Sequence, residues 1–251
     1  MRGLKCLVLW LWSGTLCAAW GQEHNHVQIA QQNIPAVVTI NVLNKDTSTL
    51  TGTGFIIAND GWIVTSQHVL ENALYTNLTF SNGVTSGEAT LIAQSKPMDL
   101  ALLKIEAHHL PHVTLAQQDR VWPGQTITVI GNPRRLQNTV TSGIISQLRR
   151  QANGTVWYQI SAPISPSSSG SPVFNAQGEV IAVASASLTG NGNQNLNFAI
   201  PARYVRELIS GQPVILPETK KNTNNLHPLF RHIQKSWQIS KRMLRHWIYK
   251  Q

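Results

Sequence analysis

From residue 35 to residue 200 the chain reads as one short β-prone run after another, with no stretch spaced like a long helix. The runs are Ala36–Val42, Gly54–Ala58, Trp62–Thr65, Ala89–Ala93, Leu100–Ile105, Thr126–Ile130, Thr139–Ile145, Thr155–Ile160, Val180–Ala186 and Leu196–Ile200. They are rich in Val, Ile and Thr, which suit a pleated, half-buried surface. Turn formers punctuate them, among them Asn59-Asp60-Gly61, Ser81-Asn82-Gly83 and Ala152-Asn153-Gly154. Strands do not alternate with helices of 10–15 residues, which argues against a parallel α/β sheet. The expected class is all-β, a barrel or sandwich, closed by a short helix at Ala202–Ile209.

The ends of the chain read differently. Arg2 and Lys5 precede an apolar run from Cys6 to Leu16, and small residues follow at Cys17, Ala18, Ala19 and Gly21. That is the pattern of a secretory signal over 1–21, cut after Ala19 or Gly21. The run is shorter than the roughly 20 residues a membrane span needs. Both cysteines, Cys6 and Cys17, fall inside the expected signal, so the expected mature chain has neither disulfide nor thiol nucleophile.

The formal net charge of +9 is unevenly placed. Residues 22–217 hold ten Lys/Arg and ten Asp/Glu, whereas 218–251 hold eight Lys/Arg against one Glu, a net +7. Residues 213–225 are expected to be a linker. Residues 226–251 are expected to form a basic amphipathic helix, with Phe230, Ile233, Trp237, Leu244 and Trp247 on one face. Such a tail fits peripheral contact with anionic lipid or an acidic partner, and no nucleic-acid motif accompanies it. His108, His109 and His112 form a histidine-rich loop better read as surface than as a metal site.

Within the β region, residues 22–212, three local motifs stand in the order His, Asp, Ser: Thr65-Ser66-Gln67-His68-Val69, Met98-Asp99-Leu100-Ala101-Leu102, and Ser167-Ser168-Ser169-Gly170-Ser171-Pro172. A serine hydroxyl is a weak nucleophile near neutral pH, and a neutral imidazole must take its proton during attack. A carboxylate must hold that imidazole's tautomer, and N–H groups must receive the developing oxyanion. His68 is therefore the expected general base and acid, Asp99 the orienting carboxylate and Ser169 the nucleophile. The backbone N–H groups of Ser167 and Ser169 are the expected oxyanion hole.

With these motifs the chain resembles the HtrA/Deg group of trypsin-like serine proteases. Further matching stretches are Gly52-Thr53-Gly54-Phe55-Ile56-Ile57, Ile130-Gly131-Asn132-Pro133, Thr139–Ser146, Ala162–Pro166 and Phe198-Ala199-Ile200-Pro201. The resemblance implies two antiparallel six-stranded β-barrels with the triad in the cleft between them. It implies an exported endopeptidase, secreted or periplasmic, acting on polypeptides through an acyl-enzyme without cofactor or metal. It also implies that Ile164 and Ser187 border the pocket for the residue before the scissile bond. Relatives are often trimers, and they commonly carry a PDZ domain for which the 34 residues after Pro217 are too few.

The chain departs from that pattern in three places. Ser167 stands where the group usually has Gly, Ser171 stands for another Gly, and Ser187 for an apolar residue. Ser169–Asn175 looks instead like the glutamyl endopeptidases. If the turn needs a positive φ at 167, a serine there is strained by about 1 kcal/mol. Two other readings therefore stay open: a non-catalytic binding protein on the same fold, and a membrane-docking module acting through its tail.

Overall fold

The computed structural model describes residues 25–211, apart from 133–137, 152–153, 166 and 191–192, and apart from the side chains of 186–190 and 193–195. The expected signal, linker and basic tail lie outside the described residues.

Among the described residues, thirteen strands form two sheets. The first half contains β1 (Val37–Asn44), β2 (Thr49–Ala58), β3 (Trp62–Thr65), β4 (Ala73–Thr79), β5 (Thr85–Glu88), β6 (Thr90–Ser95) and β7 (Leu100–Lys104). They make a seven-stranded antiparallel sheet in the order β5-β4-β1-β2-β3-β7-β6, a half-barrel. The second half contains β8 (Thr126–Gly131), β9 (Thr139–Arg150), β10 (Val156–Ile160), β11 (Pro172–Phe174), β12 (Val180–Gly190) and β13 (Asn193–Pro201). These close into a six-stranded barrel, β10-β13-β12-β11-β8-β9.

Each half has its own apolar interior. Val38, Ile40, Ile56, Ile63, Leu78 and Leu103 fill the first, and Val129, Ile145, Ile160, Val173, Ala184 and Ala199 fill the second. A third cluster joins them, drawing Phe55, Val64, Leu100 and Leu102 from the first sheet and Ile130, Phe174, Val183 and Ile200 from the second. The opposite faces of the same strands supply both kinds of core, because side chains alternate along a strand. This shared core holds the facing ends of the halves in register, which is what a site assembled between them needs.

Among the described residues, two α-helices brace the junction. α1 (His26–Asn33) starts at a reciprocal cap, in which Asn25 accepts from the Gln28 N–H and Gln28 accepts from the Asn25 N–H. Its Ile29 enters the shared core, and His26 Nδ1 lies 2.7 Å from Thr128 Oγ1 on β8. No periodic apolar pattern announces this helix, so the sequence reading passed over it. α2 (Ala202–Ile209) spans the residues expected for the closing helix. Its Tyr204 and Val205 also reach the shared core.

Next to α2, Tyr158 is buried inside the second barrel. Burial, with Asp119 adding its negative charge, pushes its phenol up to about 12. The folded state therefore keeps this proton over a range in which the unfolded chain, with an ordinary phenol near 10, has lost it. The stabilising contribution is complete below about pH 10 and is lost as pH rises toward 12. Tyr158→Phe is expected to flatten that alkaline decline, measured by chemical denaturation between pH 9 and 12.

Candidate active site

Cross-strand register brings the first two motif residues together. β3 and β7 pair antiparallel with Thr65 opposite Ala101. The residues just after β3 and just before β7 thus share one edge of the sheet. His68 sits there in a single 3-10 turn, Gln67–Leu70, and Asp99 sits across from it. The His68 Nδ1 is 2.8 Å from Asp99 Oδ2 and 2.9 Å from Oδ1. The His68 backbone N–H donates to Oδ1 at 2.9 Å, and the Gln67 N–H donates to the Asp99 carbonyl at 3.1 Å. Asp99 adopts φ +52°, a left-handed conformation that aspartate tolerates better than most residues.

The third motif arrives from the other half. Ser169 lies in the tight turn before β11, and the Ser169 Oγ donates to the Ser185 carbonyl on β12 at 3.1 Å. The Ser185 Oγ in turn donates to Asp99 Oδ2 at 2.5 Å. Ser185 therefore bridges the nucleophile candidate and the carboxylate–imidazole pair. With the imidazole and the His68 N–H, it supplies a third hydrogen-bonding group to a carboxylate whose side chain is only 9% exposed. Sequence reading missed Ser185. Its one signal was a hydroxyl within the apolar run Val180–Ala186.

The nucleophile turn is anchored on the first half. The Thr53 N–H on β2 donates to the Ser169 carbonyl at 3.0 Å, and the Gly170 N–H donates to the Ala184 carbonyl at 2.7 Å. Gly170 has φ +91°, and a Cβ built on it would lie 2.0 Å from the Thr53 carbonyl oxygen. Only glycine fits between the two halves there.

Ser167 adopts φ +70°. The strain expected of a serine at this point is therefore present. The Thr53 Oγ1 donates to the Ser167 carbonyl at 2.8 Å and accepts from the Asn132 N–H at 3.0 Å. The Ser168 N–H donates to Ser165, and the Ser171 N–H to Ser168. Among the described residues, nothing accepts from the N–H of Ser167 or of Ser169. The backbone on either side of this turn is thus tied down while these two donors stay open.

Ser171, the second departure from glycine, is fully buried. It fits because Gly131 faces it: a Cβ at 131 would lie 2.3 Å from Ser171 Oγ. Ile164 is half-buried, packs against the second barrel's core and lines a small cleft with Pro163, Ser165 and Ser168 beneath the nucleophile turn. The Ser187 backbone pairs with Asn197 in the β12–β13 ladder, and its side chain lies outside the described residues. His108, His109 and His112 lie exposed on the loop after β7. Among the described residues, no group of three His, Cys, Asp or Glu is placed to hold a metal ion.

A half-barrel packed on a closed barrel is the architecture of the trypsin-like peptidase class, and where the halves meet His68 bonds Asp99 directly while Ser169 joins the pair through Ser185. Residues 52–183 match the trypsin-like peptidase domain, and the chain belongs to that family. It is 38% identical over 163 residues to a protein of Chlamydia muridarum described as "Probable periplasmic serine endoprotease DegP-like", covering 63% of this chain and 33% of that one. Among solved structures, it resembles the serine endoprotease from Yersinia pestis, with a TM-score of 0.66, 30% identity and coverage of 74% of this chain and 66% of that one. It also resembles the HtrA-type protease AlgW with tripeptide, with a TM-score of 0.69, 29% identity and coverage of 74% and 63%. The chain spans between a third and two fifths of the length of the curated relatives it matches.

Proposed function

We propose that this chain is an exported serine endopeptidase that hydrolyses polypeptides through an acyl-enzyme. The observation that carries the reading is the hydrogen-bonded run Ser169–Ser185–Asp99–His68, which crosses from one half of the fold to the other. In the proposed reaction the Ser169 oxygen attacks the scissile carbonyl as His68 takes the hydroxyl proton. Asp99, held from three sides, keeps Nδ1–H on the imidazole and favours the imidazolium that forms. The oxyanion is received by the open N–H groups of Ser167 and Ser169. His68 then returns the proton to the leaving amine, and water repeats the sequence on the ester.

Polypeptide substrates agree with the tripeptide named for AlgW. Export agrees with the signal expected at 1–21 and with the periplasmic description of the Chlamydia relative. The open N–H groups favour a working enzyme over a non-catalytic binder, since the left-handed Ser167 leaves both donors uncommitted.

A serine-directed fluorophosphonate discriminates the two. Labelling at Ser169, verified by peptide mapping and lost in His68→Ala, is the expected result. A folded protein that takes no label would instead be the binder.

A further inference from the structure

Ser167 does more than tolerate a glycine's backbone, because its hydroxyl has a defined seat. The Thr51 Oγ1 on β2 donates to the Ser167 Oγ at 3.3 Å. The Ser167 carbonyl is held separately, by Thr53. The Ser167 O–H itself donates to no described residue. Both Thr51 and Ser167 are half-buried, so the pair faces solvent on this side of the turn. An oriented hydroxyl with an unspent donor, two residues before the nucleophile, is available to a bound chain.

Its position fixes which part of that chain it meets. In the proposed reaction the leaving amine departs toward His68, which returns the proton to it. Gly52, the neighbour of Thr51, packs beneath Val69, the neighbour of His68: a Cβ on Gly52 would lie 2.7 Å from Val69 Cγ1. Gly54 pairs with Thr65 at the end of β3, so Thr51, three residues earlier on β2, lies level with the turn after β3 that carries His68, and the hydroxyl seated on Thr51 lies on the His68 side of the nucleophile.

We propose that the Ser167 hydroxyl, oriented by Thr51, donates a hydrogen bond to a main-chain carbonyl of the polypeptide just beyond the scissile bond. This rests on the peptidase reading above. It makes Ser167 a contributor of two donors with separate tasks, the backbone N–H to the oxyanion and the side chain to the leaving segment. A glycine would supply only the first.

The test compares two substrates with the same acyl part: a peptide extending three residues past the scissile bond, and a peptidyl thioester with no residues there. The quantity read is the ratio of their kcat/KM values in the parent, in Ser167→Ala and in Thr51→Val. Any change to the oxyanion hole slows both substrates and cancels in the ratio. Loss of one neutral hydrogen bond lowers the ratio by about three- to tenfold. The smaller fall is expected in Thr51→Val, which keeps the hydroxyl but unseats it. Acyl-enzyme formed from the thioester should likewise pass less often to an added dipeptide amide, relative to water, in Ser167→Ala.

A ratio within about twofold of the parent in both variants would overturn the proposal while leaving the peptidase intact. A parent that turns over neither substrate would overturn the peptidase reading, and this inference with it.

Discussion

Ser169→Ala is expected to lower turnover of an unfolded protein such as casein by about 10⁴- to 10⁶-fold, because in the proposed reaction its oxygen carries the acyl intermediate. The same change should barely affect the fold. Ser169 is half-buried, and its hydroxyl makes one neutral hydrogen bond, to the Ser185 carbonyl. That bond contributes about 1 kcal/mol, which in a domain of this size is a shift of roughly 2–4 °C in Tm. The anchors of the turn, Thr53 to the Ser169 carbonyl and Gly170 to Ala184, are main-chain bonds that alanine leaves alone. Steady-state hydrolysis and a thermal melt by circular dichroism check both halves of the statement. Casein cleavage at the parental rate would remove Ser169 from the reaction.

Gly170→Ala should do the opposite, and damage structure and activity together. The added methyl meets the Thr53 carbonyl at 2.0 Å, the Thr65 Oγ1 at 2.6 Å and the Ser66 nitrogen at 3.0 Å. Two of these atoms already bond each other, since Thr65 Oγ1 donates to the Thr53 carbonyl at 2.7 Å. Two are backbone atoms and the third, on the fully buried Thr65, is held by that bond, so relief requires separating the halves. The left-handed backbone adds about 1–2 kcal/mol for any residue with a Cβ. Each buried polar group left unpaired adds about 1–3 kcal/mol.

With both partners of the Thr65–Thr53 bond left unpaired, these reach about 3–8 kcal/mol, a large share of the 5–15 kcal/mol that holds a domain folded. The expected outcome is a fall in Tm of about 10 °C or more, with no fluorophosphonate labelling of whatever remains folded. A variant that melts within about 2 °C of the parent and still labels would show that the turn does not sit against β2 as described.

The contrast between these neighbours shows what a sequence can and cannot reveal. As candidates, His68, Asp99 and Ser169 were legible because each stands beside an apolar run and the three follow one another in the order His, Asp, Ser. β3 and α2 were legible to the residue, because their burial patterns are local. β4 and β5, at one edge of the first sheet, were not: β5 is the short, largely exposed Thr-Ser-Gly-Glu, and β4 buries only Thr76 and Leu78, too few positions to stand out as an apolar run. β11 has only three residues, too short to register as a strand.

The chain's own order of residues determined an all-β molecule, a stretch of neutral net charge with a basic end, and three chemically matched side chains. Only the tertiary structure decided that Ser185 joins them, that Ser167 is left-handed with its hydroxyl seated on Thr51, and that Gly170 is irreplaceable. The reason is range. Apolar periodicity reports what a residue does with neighbours a few positions away. Ser185 and Asp99 are 86 positions apart, and Thr51 and Ser167 are 116 apart. Contacts of that separation exist only once two independently patterned sheets have packed face to face.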